Sequence, residues 1–161
     1  GSPGGVIGGR MIFFTRELFL GIQPKSGWER RAENEWYRRV KVYARYAEMI
    51  APLLPAAVRR LCKQSLHDAV VREAALRDGE LVMLLDATNA LSGFRGRQVR
   101  LAFRGVQGRP SVAKLVGQWW LYEEAHLCSR ARFSLHVLFD PSELEVEADE
   151  LVIELSPRRR Q

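Results

Sequence analysis

Val70-Val71-Arg72-Glu73-Ala74-Ala75-Leu76-Arg77-Asp78-Gly79-Glu80-Leu81-Val82-Met83-Leu84-Leu85-Asp86 decides the fold. Asp78-Gly79 stands between two strand-like runs. A two-residue hairpin turn needs positive φ at both central positions, which Asp and Gly accept at low steric cost. The stretch therefore predicts strands over Val70 to Arg77 and Glu80 to Asp86. Leu81 to Leu85 is apolar on both faces, as a central strand requires.

Downstream, Ala87 to Gly96 is polar and glycine-containing and reads as a loop. Val99, Leu101 and Phe103 alternate with Arg100, Ala102 and Arg104, the two-residue period of a half-buried strand. Trp119 to Leu127 and Arg132 to Phe139 form a second hairpin pattern. Leu144 to Ala148 and Leu151 to Leu155 add one or two strands. Successive strands with short turns make an antiparallel sheet, which can bury one face and wet the other.

Upstream of Ser65 the period is helical. Thr15 is placed to cap a segment over Arg16 to Ile22, which Pro24 ends, and Met11 to Phe14 is a short apolar arm or strand. Ser26-Gly27-Trp28-Glu29 has capping-box spacing. Trp28, Ala32, Trp36 (or Glu35), Val40, Tyr43, Ala47 and Ile50 then recur at three- and four-residue steps, with Arg30, Arg31, Arg38, Arg39, Lys41 and Arg45 on the other side. Pro52 ends this helix, and a second runs over roughly Pro55 to Lys63 with Val58, Leu61 and Cys62 inward. The expected architecture is α+β: N-terminal helices packed on one face of an antiparallel β-sheet of about five to seven strands.

At 161 residues and 47% hydrophobic, the chain suits one domain with a real core. That domain is expected over 11–157, with a helical half over 11–64 and a sheet half over 65–157. Residues 1–10 read as an expression remnant before Met11, and residues 158–161 as a frayed basic tail. No run reaches the roughly 18 apolar residues of a membrane span, and no secretory signal is visible, so a cytoplasmic location is expected. Cys62 and Cys128 sit among apolar neighbours and read as reduced thiols, with a bridge or a reactive thiol as alternatives.

The net charge of +6 is unevenly placed. Met11 to Gln64 carries 11 basic and 5 acidic residues, a balance of +6, whereas Ser65 to Pro157 carries 10 basic and 14 acidic, a balance of −4. Two layers of complementary charge account for this, and so would a nucleic-acid or membrane-surface contact. Against nucleic acid, Glu33, Glu35 and Glu48 interrupt the basic helix, and no aromatic is expected among its exposed arginines.

The phosphate-cradling glycine loop, the CxxC pair, HExxH and GxSxG are absent from the sequence. His67-Asp68 pairs an imidazole with a carboxylate. On an extended chain the two would point apart, so binding of backbone at the helix-to-strand junction is expected before catalysis. In the second hairpin, alternation puts Trp119, Leu121, Glu123, Ala125 and Leu127 on one face. It puts Trp120, Tyr122, Glu124, His126, Arg132 and His136 together on the other. These six are the candidate binding residues. Either they are cross-strand pairs on a wet face, or they recognise a partner or small ligand. No catalytic residue, metal site or cofactor is assigned.

Phe14-Thr15-Arg16-Glu17-Leu18, Ser65-Leu66-His67-Asp68-Ala69 and Phe103-Arg104-Gly105-Val106 resemble a bacterial family of uncharacterised proteins. That family has an N-terminal Phe-Thr-Lys/Arg-Glu motif and a Leu-His-Asp-Ala β-meander, and it is similar to immunity proteins of toxin systems. The resemblance implies a stoichiometric binder of another protein. It carries over no functional residue, because immunity proteins bind through variable surfaces. The acidic residues Glu143, Glu145, Glu147, Asp149 and Glu150 would face a basic partner. A hydrolase or ligand-binding enzyme using Glu124, His126 and His136 is the alternative, and nucleic-acid binding through the basic helix the third reading.

Overall fold

The computed structural model describes Phe13, Thr15 and residues 29–90 and 93–157. The expected remnant, the Arg16 to Ile22 helix, the Ser26 cap and the basic tail lie outside these residues.

Helix α1 spans Glu29–Ile50, a 3₁₀ turn follows over Ala51–Leu53, and α2 spans Ala56–Gln64. Glu35 takes the guanidinium groups of Arg38 and Arg39 at 2.9 and 2.8 Å, the i,i+3 and i,i+4 pairs that support a helix surface. Pro52 lacks the N–H that would continue α1, and the chain tightens into the 3₁₀ turn there. From Ala32 to Ile50 the inward stripe follows the expected spacing with one exchange, and Trp28 lies outside the described residues. Val40 is exposed, and the half-buried Arg39 takes its place, its guanidinium donating to the Phe13 carbonyl at 3.1 Å.

Among the described residues seven antiparallel strands follow: β1 Val70–Arg77, β2 Glu80–Asp86, β3 Gln98–Arg104, β4 Trp119–His126, β5 Phe133–Asp140, β6 Glu143–Ala148 and β7 Glu150–Leu155. Asp78 and Gly79 both have positive φ, as the β1–β2 turn demands. The strand order is β6-β5-β4-β1-β2-β3-β7. β6 and β7 thus occupy opposite edges although Asp149 alone separates them in the chain, so the sheet must curl until its edges approach. Phe103 on β3 and Phe133 on β5 report the same curl. Their rings are 6.4 Å apart, whereas four strand spacings of a flat sheet would span about 19 Å. Near this corner Gly105 has φ +67, and a Cβ there would lie 2.5 Å from the Asp149 carboxylate.

The main core lies inside the curl. Val58 and Leu61 of α2 pack there with Met83, Leu101, Trp120 and Val137, and Ile50 at the end of α1 joins them. A second cluster lies on the other face of β4–β5, where Leu121 and Leu138 pack with Trp36 and Tyr43 of α1, Tyr122 and Phe13. The β4–β5 hairpin is therefore buried on both sides, and the face expected to be wet is covered by α1. Among the described residues, no helix is long and apolar enough to cross a membrane.

Candidate functional site

β4 meets β1 through the single pair Val70↔Trp119, while β5 pairs along its other side. Beyond Trp120, polar side chains take up backbone groups of β4. Tyr43 Oη accepts the Ala125 N–H at 3.0 Å, and His67 Nδ1 lies 2.6 Å from the Leu121 carbonyl. The imidazole must donate there, because a carbonyl only accepts. His67 thus binds backbone at the helix-to-strand junction. Its Nε2 lies 3.6 Å from Asp68 Oδ1, an approach allowed because Asp68 has φ +69 and the dipeptide is not extended.

The register across β4, β5 and β6 builds two polar rows. His126 stands opposite Ser134, which stands opposite Glu147; beside them Glu124 stands opposite His136, which stands opposite Glu145. Glu124 is fully buried, and its carboxylate takes the Phe13 backbone N–H at 2.6 Å and meets His126 Nε2 at 3.1 Å. His126 Nδ1 lies 3.2 Å from the Tyr46 hydroxyl. With Nε2–H given to the carboxylate, Nδ1 accepts from that hydroxyl, making a carboxylate–imidazole–phenol chain. Burial raises the Tyr46 hydroxyl above its ordinary pKa, so it remains a protonated donor at neutral pH. His136 Nε2 lies 3.4 Å from Glu145, and the two imidazole rings meet edge to face at 5.2 Å.

Of the six candidates, Tyr122, Glu124, His126 and His136 share this face, and the last three form the cluster. The other two do not join it. A β-bulge between Trp120 and Tyr122 places one extra residue in β4 and reverses the alternation. Trp120 consequently faces the core, fully buried and edge-on to Phe139 at 5.5 Å. Arg132 precedes β5, exposed, its backbone N–H donating to Asp149 at 3.2 Å.

Alternation missed Glu123, which it set among Leu121, Ala125 and their apolar companions. Glu123 Oε2 accepts from the Trp120 indole at 3.0 Å and the Ser65 hydroxyl at 3.2 Å. Burial pushes its carboxyl up to about 7 against those two hydrogen bonds. A lone acid on an otherwise apolar strand face was the signal. Ser134, Tyr46 and Glu145, the last expected to face a basic partner, were not assigned to this group; cross-strand register brings Ser134 and Glu145 beside the histidines, and the packing of α1 brings Tyr46.

A cavity of about 320 Å³ opens over the first row, between Tyr46 and the segment after β4 that carries Cys128. Among the described residues, no three His, Cys, Asp or Glu side chains are grouped to hold a metal ion. Cys62 and Cys128 are free thiols. The acidic run of β6 and β7 is largely engaged within the fold: Glu145 meets His136, Glu147 pairs with Arg130 at 2.8 Å, and Glu150 pairs with Arg104 at 3.7 Å. On α1, Tyr37 is 67% exposed beside Arg38 and Lys41, correcting the expectation of no aromatic among the basic residues.

The sequence profile of a family of proteins of unknown function, DUF4085, matches residues 22–148. No curated protein and no solved structure matches the chain.

Proposed function

The chain belongs to the DUF4085 family of proteins of unknown function, and from that premise we propose that it is a non-catalytic protein-binding module of the bacterial cytoplasm, of the immunity-protein kind. One observation carries the reading. Arg38, Val42, Arg45 and Met49 recur at four- and three-residue steps on α1, and Leu53 extends the row. All are exposed, Val42 at 50%, Met49 at 70% and Leu53 at 62%. A large apolar side chain left in water between fixed cations gains by docking on an apolar, acidic surface. The buried polar rows, by contrast, find most of their partners within the fold, Ser134 excepted, and support the α1 platform from beneath.

Co-expression with the product of the adjacent gene tests this. A stable complex is expected, weakened by added salt and lost in Val42→Glu/Met49→Glu, a variant whose folding should be intact because both positions are exposed. Absence of a complex, or a complex indifferent to the double substitution, overturns it.

The hydrolase or ligand-binding alternative rests on the cluster of Glu124, His126 and His136, in which Glu124 orients the His126 imidazole toward the Tyr46 hydroxyl. The nucleic-acid reading gains Tyr37 as a stacking surface beside arginines. Retention on heparin at low salt tests that reading directly.

A further inference from the structure

Among the described residues, Ser134 Oγ is buried and has no hydrogen-bond partner, in a residue only 5% exposed. It borders the cavity between His126 and Glu147 of its own row. An orphaned buried hydroxyl is costly, on the order of 1–3 kcal/mol, unless something enters to meet it. Two carboxylates, Glu145 and Glu147, line the same cavity, and Arg130, paired with Glu147 at 2.8 Å, offsets only one of the two charges. His136, 6% exposed, and Cys128 complete the part relevant here.

We propose that this cavity binds a primary ammonium group, carried by a free alkylamine or by a lysine side chain of a partner. An ammonium offers three donors and no acceptor, which matches the Glu145 carboxylate, the lone pairs of Glu147 that Arg130 leaves, and an unpaired hydroxyl oxygen. The depression, about 320 Å³, is open to solvent and leaves room for an alkyl stem beside Tyr46 and Leu127. A bare metal ion fits less well, because no three ligating side chains are grouped there among the described residues. The site is separate from the exposed stripe of α1, so either proposal can fail without the other.

The test titrates the full chain with ethylammonium and with a short lysine-containing peptide, following the imidazole resonances of His126 and His136. Ethanol and acetate serve as neutral and anionic controls. A saturable shift with either amine source supports the proposal, and the tighter of the two identifies the source. Glu145→Gln and Ser134→Ala should each weaken binding about tenfold, the loss expected for one buried charge-assisted or orphan-satisfying hydrogen bond. No saturable shift with either amine, or an equal response to acetate, overturns it whether or not the variants fold.

Discussion

The indole nitrogen of Trp120 donates to the Glu123 carboxylate across 3.0 Å inside the main core, three residues apart on one strand. The contact exists because the bulge before Tyr122 turns Trp120 onto the face that Glu123 already occupies. It holds an acid where desolvation favours the protonated form.

Stability should therefore depend on pH through Glu123. Its folded pKa of about 7 lies above the ordinary 4.5, so the folded state holds the proton more tightly than the unfolded one. The contribution is fully present below about pH 4.5 and is lost as pH rises through about 7, on the order of 3 kcal/mol in all. Urea unfolding across that window should show the fall, and Glu123→Gln should flatten it. A wild-type profile already flat there would place the carboxyl in a wetter site.

Glu124→Ala should cost about 2 kcal/mol or more, because it strands the Phe13 N–H and the His126 Nε2–H under α1. Chemical denaturation measures this. A change within about 0.5 kcal/mol would return this face to solvent.

Tyr43→Phe keeps the ring that packs against Phe13 at 5.2 Å and deletes the hydroxyl that accepts the Ala125 N–H and hydrogen-bonds the Cys62 thiol. A loss of about 1–2 kcal/mol is expected, with faster amide exchange at Ala125 as the local signature. Unchanged exchange would mean that another group takes up that N–H.

Cys62 should resist alkylation. Burial pushes its thiol up to about 12, so near neutral pH its thiolate fraction is roughly a thousandfold below that of an unburied cysteine. Mass spectrometry after brief iodoacetamide treatment should find Cys62 unmodified in the folded protein. Prompt labelling would mean that this partly buried thiol is less desolvated than its packing against the core indicates.

Gly105→Ala should destabilise by about 1–3 kcal/mol, since it combines a left-handed φ with a Cβ 2.5 Å from Asp149. Adding Asp149→Ala should recover part of that loss and leave the φ strain. No recovery would show that the clash contributes nothing.

Much of the architecture is legible in local pattern. The change of period near Ser65, the Asp78-Gly79 turn and the alternation of Val99, Leu101 and Phe103 each depend on neighbours in the chain, and all three appear as expected. The candidate site was only half legible. Tyr122, Glu124, His126 and His136 share a face because two-residue alternation holds between them without interruption.

Tertiary structure alone decided the rest. One extra residue in β4 reverses the phase and removes Trp120 from the group, and a bulge leaves no fixed mark in composition. The edge positions of β6 and β7, the union of Glu145 with His136, and the covering of an alternating hairpin by α1 arise from pairing between distant segments. Alternation says which side chains point the same way along one strand. Which side becomes interior depends on what the remainder of the chain lays against it.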